Sequence, residues 1–242
     1  MTYNNIHKGI FRSRPNRFIA EVEIDGQLEC CHVKNTGRCK ELFVPGATVY
    51  INQTDNPNRT TKYDLVTVCK GDDSTNKDNL GYNLVNIDSQ APNHVFREHL
   101  QAGRYIDSIT TIKSEAKYGS SRFDFYVETN DRKIFIEVKG VTLEKDGIAL
   151  FPDAPTQRGV KHLNELAQSI QDGYEAHVVF IIQMKGTLRH FAPNYETHPE
   201  FGDALVKAQT AGVKVSALDC IVTSNSLTID CPVPVRLENT TI

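Results

Sequence analysis

Six residues near the middle of the chain decide the fold: Ile134-Phe135-Ile136-Glu137-Val138-Lys139. Their β-branched and aromatic side chains predict a strand. Alternate side chains of a strand point to opposite faces, so Glu137 and Lys139 share a face, roughly 6.5–7 Å apart. Charged groups in so apolar a strand are costly unless they are paired, solvated or bound to a metal. The stretch therefore predicts a buried strand that carries a polar site.

A second carboxylate lies one strand earlier in the sequence. Asp124 stands within Arg122-Phe123-Asp124-Phe125-Tyr126-Val127, which also has the composition of an apolar strand. If the two strands pair as a hairpin through Asn130-Asp131, the carboxylates of Asp124 and Glu137 converge. Two carboxylates that share a site repel each other, and a divalent cation such as Mg²⁺ relieves that repulsion. A neighbouring lysine can then orient water or stabilise charge on a phosphate, so the group predicts phosphodiester hydrolysis.

Taken alone, the Glu-x-Lys spacing has a simpler explanation. The same spacing occurs in Glu115-Ala116-Lys117, and a cross-strand or surface ion pair accounts for either string by itself. What favours the nuclease-like interpretation is the apolar strand around Glu137 and Lys139, together with Asp124 one strand before.

The first 85 residues or so have the pattern of short strands. The Asp25-Gly26 pair predicts a hairpin turn between the first two of them. The predicted strands are Phe18–Ile24, Leu28–Val33, Leu42–Val44, Thr48–Ile51 and Leu65–Val68. Five short strands in so little chain predict a small closed barrel, for which the oligonucleotide-binding (OB) fold is a leading candidate. The polar stretch Gly71–Asn79 predicts an exposed loop or linker.

Beyond that stretch, helices and strands alternate. The predicted helices are one capped by Asn93 and ended by Gly103, one opened by Thr156 and ended by Gly173, and Pro199–Ala211. The predicted strands are Ile106 to about Ala116, Arg122–Glu128, Lys133–Val141, His177–Met184 and Val213–Leu218. This order predicts an α/β fold with a central mixed sheet flanked by helices. We therefore predict two domains, a barrel over residues 1–85 and an α/β domain over residues 86–242.

Most candidate nucleic-acid contacts fall in two regions, and Arg122 lies apart from both. Near the N-terminus, basic residues are interleaved with Phe11 and Phe18, and such a surface on a barrel can track a single strand. Arg158 and His162 lie one turn apart at the start of a helix, where a phosphate is favoured. An ordinary charged surface remains the alternative in both regions. The candidates are Arg12, Arg14, Arg17, Asn35, Arg38, Arg122, Arg158 and His162.

Composition excludes several classes of protein. The 242 residues are 39% hydrophobic and 24% charged, which excludes global disorder and a coiled coil. No apolar run approaches the roughly 20 residues that a membrane-spanning helix needs. The N-terminus lacks a signal-peptide pattern and the six cysteines form no C-x-x-C pair, so we expect a cytoplasmic protein with reduced thiols. The net charge of −3 argues only weakly against a nucleic-acid partner.

Taken together, these segments resemble the sugar fermentation stimulation protein A family over nearly the whole chain. The resemblance is carried by Asn35-Thr36-Gly37, Pro45-Gly46, Lys113–Gly119, Ser121–Asp124, Glu137–Leu143, Phe151–Ala154 and Arg158–Leu163. It implies an N-terminal barrel like the OB fold and a C-terminal domain like the PD-(D/E)XK nucleases. Members are described as DNA-binding, are linked to regulation of sugar (notably maltose) catabolism, and are proposed to be nucleases.

The resemblance also implies roles for particular residues. Asp124 and Glu137 would bind Mg²⁺ or Mn²⁺, and Lys139 would be the catalytic lysine. Glu98 would match the auxiliary acidic metal ligand, with Glu115 as a rival for that role. Two departures stand out: Gly140 occupies a position where Ser or Asn is common, and the segment Asn56–Lys62 is less basic than usual.

The sequence therefore predicts a cytoplasmic DNA-binding protein with a magnesium-dependent nuclease centre, and leaves open an RNA substrate, strandedness and oligomeric state. One alternative is a non-catalytic DNA-binding regulator of sugar catabolism that kept the nuclease fold. Another is an enzyme acting on a sugar phosphate, which would need a compact pocket in place of an open groove.

Overall fold

The computed structural model describes residues 1–35, 37–56, 58–71 and 84–238. Most of the predicted loop Gly71–Asn79, and Thr36 of the Asn35-Thr36-Gly37 motif, lie outside the described residues. The chain divides into two compact units, each built from separate stretches of sequence. Unit 1 comprises Met1–Val95, Gln183–Thr187 and Asp219–Asp230, and unit 2 comprises Phe96–Ile182, Leu188–Leu218 and Cys231–Ile242. The division into two domains, residues 1–85 and residues 86–242, stays a prediction.

Unit 1 contains the strands β1 (Ile6–Asn16), β2 (Ile19–Ile24), β3 (Gln27–Val33), β4 (Thr48–Gln53), β5 (Tyr63–Cys69) and β6 (Leu84–Asn86). They form one sheet in the order β3-β2-β1-β4-β5-β6. A parallel pairing between β3 and β5 closes β1 to β5 into a five-stranded barrel of the OB type, and β6 extends the sheet beside β5. The predicted turn is confirmed: Asp25 and Gly26 both have positive φ, 50° and 78°, and join β2 to the antiparallel β3.

One strand prediction in unit 1 is wrong. Leu42–Val44 is not a strand but part of a turn, in which the Leu42 and Phe43 N–H groups donate to the Cys39 carbonyl at 3.1 Å. Leu42 is buried, so its apolar character reflects packing of the turn. The predicted strand Phe18–Ile24 corresponds to β2, which begins one residue later, at Ile19, and Phe18 is 45% exposed. The long strand β1 was not predicted at all.

From Ala91 onward the chain forms three helices and nine strands within the described residues. The helices are α1 (Ala91–Gln101), α2 (Gln157–Gln171) and α3 (Pro199–Thr210). The strands are β7 (Thr111–Tyr118), β8 (Ser121–Glu128), β9 (Lys133–Val141), β10 (Leu143–Lys145), β11 (Ile148–Phe151), β12 (Glu175–Ile182), β13 (His190–Pro193), β14 (Lys214–Val222) and β15 (Leu227–Val233). One sheet has the order β15-β14-β12-β9-β8-β7, and a smaller sheet has the order β10-β11-β13.

The main sheet is mixed, as the sequence predicted. Strand β9 pairs antiparallel with β8 and parallel with β12, so the predicted active-site strand lies in the sheet interior. Thr156 caps α2, because its hydroxyl oxygen accepts the Gly159 N–H at 3.1 Å. Asn93 is not a cap, since α1 begins at Ala91, and the Gln90 N–H donates to the Asp88 carboxylate instead.

Other differences concern short or irregular elements. The strand predicted from Ile106 begins only at Thr111, and β10, β11, β13 and β15 were not predicted. None of the helices in the described part of the chain is long and apolar enough to cross a membrane.

Gly9 of β1 offers a test of barrel packing. A Cβ atom added there would lie 2.5 Å from the Val22 side chain and 3.0 Å from the Glu23 carbonyl oxygen. Because β1 and β2 pair at this point, Gly9→Ala should lower the free energy of unfolding by about 1–3 kcal/mol, measured by urea denaturation. At Gly186 an added Cβ meets nothing within 4 Å. Gly186→Ala is therefore the control, and equal stability of the two variants would contradict the packing.

Candidate active site

Strands β8 and β9 form the predicted hairpin, and their pairing brings Asp124 next to β9. The register runs from Glu128↔Lys133 at the turn to Phe125↔Ile136. One residue further along β8, the Asp124 carboxylate accepts the backbone N–H of Val138 at 2.7 Å. Asp124 is thereby held against the stretch of β9 that carries Glu137 and Lys139.

Glu137 is the buried centre of this region, with 3% of its surface exposed. Its Oε1 atom accepts two hydrogen bonds, from Lys139 Nζ at 2.6 Å and from His162 Nδ1 at 2.5 Å. Its Oε2 atom is also buried, but accepts no hydrogen bond from any residue that the structure describes. The predicted shared face of Glu137 and Lys139 is confirmed, and the two side chains form a direct ion pair.

His162 reaches Glu137 from the first turns of α2. Arg158 Nε, which can only donate, points at His162 Nε2 over 3.3 Å. His162 Nε2 is therefore the acceptor, and the ring proton lies on Nδ1, facing Glu137. The imidazole is 4% exposed, whereas Arg158 is exposed. Arg158 and His162 thus meet one helical turn apart, as the sequence suggested, but His162 faces the buried carboxylate.

This environment keeps Glu137 ionised. Burial raises the pKa of its carboxyl, but the Lys139 ammonium and the His162 hydrogen bond lower the pKa by more than burial raises it. The net result is a pKa below the ordinary value for Glu. An ionised carboxylate with one buried oxygen lacking a hydrogen bond is a strong ligand for a hard cation.

The two candidates for an auxiliary acid lie elsewhere. Glu98 on α1 and Glu115 on β7 are both exposed. Glu115 has a positive φ of 55° and falls between the pairs Ser114↔Phe125 and Ala116↔Phe123, opposite Asp124. Within the described ranges, neither residue completes a three-membered group with Asp124 and Glu137 whose ligand atoms lie within 4.8 Å. Their role as a metal ligand stays a prediction.

Two of the residues predicted to contact nucleic acid, Arg14 and Asn35, stabilise loops of unit 1 through hydrogen bonds to the backbone. The Arg14 guanidinium donates to the carbonyls of Arg17, Asn35, Gly37 and Arg38 at 2.8–3.2 Å. The Asn35 side chain accepts the Gly37 N–H at 2.7 Å and donates to the Ile87 carbonyl at 3.1 Å. Both residues therefore fix loops of unit 1, a role that sequence analysis missed.

The other basic candidates of unit 1 are exposed. Arg12 pairs with Glu23 at 2.7 Å, and the Arg17 guanidinium lies 4.9 Å from the Phe18 ring centroid. Arg38 is exposed as well. In the segment Asn56–Lys62, the Arg59 guanidinium forms an ion pair with the buried Asp64 at 2.5 Å. Arg17 and Arg38 thus present their charge to solvent, and Arg17 does so beside the exposed Phe18 ring.

In unit 2, Arg122 and Arg158 are the exposed candidates. Arg122 lies on β8 two residues before Asp124, opposite Lys117 of β7. Arg158 is linked to Glu137 through His162. Both cations therefore lie on elements that also carry residues of the candidate site.

Two protein-family models match this chain. A family model described as the sugar fermentation stimulation protein RE domain matches residues 90–226, and one described as the SfsA N-terminal OB domain matches residues 13–75. The chain belongs to the sugar fermentation stimulation protein family. Homologues of that name include one from Desulfitobacterium hafniense, 56% identical over 237 residues that cover 98% of this chain and 99% of the homologue. One from Clostridium beijerinckii is 58% identical over 229 residues, covering 95% and 96%.

A solved structure extends the similarity to the fold. SfsA of Pyrococcus furiosus, solved in complex with Ca²⁺, matches with a TM-score of 0.85 at 28% sequence identity, covering 98% of each chain. The family and the fold class predicted from the sequence are therefore both confirmed.

In this member of the sugar fermentation stimulation family, the role of Arg14 can be tested on stability. Arg14→Ala leaves four loop carbonyls without their donor and should lower the free energy of unfolding by about 1–3 kcal/mol. Arg17→Ala removes an exposed guanidinium of the same charge and should change stability by no more than about 0.5 kcal/mol. Urea denaturation measures both, and wild-type stability of Arg14→Ala would contradict its structural role.

Proposed function

We propose that this protein is a DNA-binding, divalent-metal-dependent nuclease whose centre is formed by Asp124, Glu137 and Lys139. The observation that carries the proposal is the buried Oε2 of Glu137, which receives no hydrogen bond from the described residues while Oε1 receives two. Leaving such a carboxylate oxygen unmatched costs about 1–3 kcal/mol or more. A cation bound at Oε2 removes this cost.

The donor set suits Mg²⁺ or Mn²⁺. Hard cations prefer oxygen ligands, and Mg²⁺ typically takes one or two carboxylates together with waters and substrate phosphate oxygens. Asp124 and Glu137 are two carboxylates on neighbouring strands, which meets this requirement with no third acidic residue. The Ca²⁺ bound by the Pyrococcus furiosus relative is also an oxygen-seeking cation, which supports the choice of metal class.

Each residue of the centre has a distinct task in the proposed reaction. A bound divalent ion would supply Lewis-acid stabilisation of negative charge at the phosphate. Lys139 Nζ can donate to a phosphate oxygen or orient the attacking water, because its ammonium is held beside Glu137 at 2.6 Å. The Val138 N–H fixes the Asp124 carboxylate, so neither acidic group has to be ordered when substrate binds.

Exposed cations would provide the contacts to nucleic acid. Arg122 and Arg158 lie on the strand and the helix that carry Asp124 and His162, and would bind phosphates next to the cleavage centre. Arg17 and Arg38 of unit 1 would add phosphate contacts, and the exposed Phe18 ring offers a base a stacking surface.

Cleavage assays test the proposal directly. Labelled single- and double-stranded DNA and RNA are incubated with purified protein and Mg²⁺, Mn²⁺ or EDTA. We expect metal-dependent cleavage that falls by about 10²-fold or more in Asp124→Asn, Glu137→Gln and Lys139→Ala, because each removes a group that acts on the metal or the phosphate.

The matched control is Glu128→Gln, a carboxylate on β8 at the turn end of the same hairpin. Its cleavage rate should equal that of the wild type. Cleavage that persists in EDTA or in Glu137→Gln would contradict the nuclease proposal. Metal-independent, salt-sensitive DNA binding without cleavage would instead support the non-catalytic regulator.

A further inference from the structure

Three side chains of unit 2 form a continuous hydrogen-bonded chain that runs from solvent to the buried carboxylate. Arg158 Nε donates to His162 Nε2 at 3.3 Å, and His162 Nδ1 donates to Glu137 Oε1 at 2.5 Å. Arg158 is exposed, His162 is 4% exposed and Glu137 is 3% exposed. The chemistry of the first donor determines the direction of both hydrogen bonds, because a guanidinium cannot accept one.

This direction matters for which oxygen of Glu137 is left for a cation. A neutral imidazole carries one proton, on either Nδ1 or Nε2. With Arg158 donating to Nε2, the proton must be on Nδ1, and Oε1 of Glu137 receives it. Oε1 is then occupied by two donors, and Oε2 is the buried oxygen without one. In the alternative tautomer, the unprotonated Nδ1 of His162 would face the Glu137 carboxylate with its lone pair, and the two groups would repel each other.

We propose that Arg158 and His162 are positioning residues for the metal-binding carboxylate. Arg158 selects the His162 tautomer with the proton on Nδ1, and His162 orients Glu137 so that Oε2 is presented to the cation. The inference rests on the proposed function of Glu137 as a metal ligand. It gives His162 a task other than contact with phosphate, and gives Arg158 a second task besides such contact.

Electrostatics and positioning predict opposite results for Arg158. Removing a positive charge near a cation site strengthens cation binding if only charge matters. Removing a positioning residue weakens it, since groups that orient a metal ligand typically contribute 10–100-fold in metal affinity. Lys161, in the same helix, is an exposed cation whose Nζ lies 4.0 Å from Glu165. Lys161→Ala therefore removes the same charge and leaves the hydrogen bonds from Arg158 through His162 to Glu137 intact.

Two substitutions of His162 separate its two ring nitrogens. The amide nitrogen of Asn is bonded to Cγ, as Nδ1 is, so His162→Asn keeps a donor facing Glu137. The amide nitrogen of Gln lies one atom further out, near the position of Nε2, so His162→Gln loses that donor. The two variants are of similar polarity, and thermal unfolding checks that both remain folded.

The experiment measures Mn²⁺ affinity by isothermal titration calorimetry on the full chain, with Glu137→Gln to identify the heat that belongs to this site. We expect affinity to fall about tenfold or more in His162→Gln and to stay within about threefold of wild type in His162→Asn. Arg158→Ala should also bind Mn²⁺ more weakly, whereas Lys161→Ala should bind it equally or more tightly. Equal affinities for His162→Gln and wild type, or a rise in Arg158→Ala, would overturn the inference.

The result also separates this inference from the proposed function. Wild-type protein that binds Mn²⁺ at Glu137 and cleaves no nucleic acid would refute the nuclease proposal, and the His162 variants would still decide the positioning role. Metal-dependent cleavage with unchanged Mn²⁺ affinity in His162→Gln would refute the positioning role alone. Wild-type protein without any Glu137-dependent Mn²⁺ binding would overturn both.

Discussion

The site depends on one set of interactions, the hydrogen bonds that Lys139 and His162 donate to the buried Glu137 carboxylate. Removing a carboxylate from water costs several kcal/mol, and the cost is offset only when charged or hydrogen-bonding partners are held in good geometry. Strand β9 supplies the carboxylate and Lys139, and α2 supplies His162. Fold and site are therefore coupled, because any shift of α2 along the sheet would remove the His162 hydrogen bond from the buried carboxylate.

Several local features fix α2 where this contact requires it. Thr156 caps its N-terminus, and an added Cβ at Gly159 would lie 3.1 Å from the Phe201 ring, so the first turn packs closely against α3. Leu163 and Leu166 are fully buried, and His162 precedes Leu163 on the edge of this apolar stripe. The stripe thus carries the imidazole inward, while Arg158 stays at the surface one turn earlier.

The sequence predicted the parts of this arrangement that follow from local pattern. The buried apolar strand β9, the hairpin with β8 and the capped helix at Thr156 follow from local composition, capping or turn signals, and each is confirmed. Strand β1 was missed because its sequence, Ile6–Asn16, alternates poorly and its pairing with β2 contains register shifts. The hydrogen bond from His162 to Glu137 joins residues 25 positions apart, and no local pattern encodes such a contact. The apolar stripe beside His162 was the one available signal of its burial.

A crystal structure with Mn²⁺ soaked in, analysed by anomalous diffraction, tests the central claim most directly, because the claim concerns which atom binds the cation. The account predicts an anomalous peak about 2.0–2.6 Å from Glu137 Oε2 and beside the Asp124 carboxylate, with Lys139 and His162 still on Oε1. A peak confined to other acidic groups, such as Asp219 and Asp230, or no peak at Glu137, would contradict it.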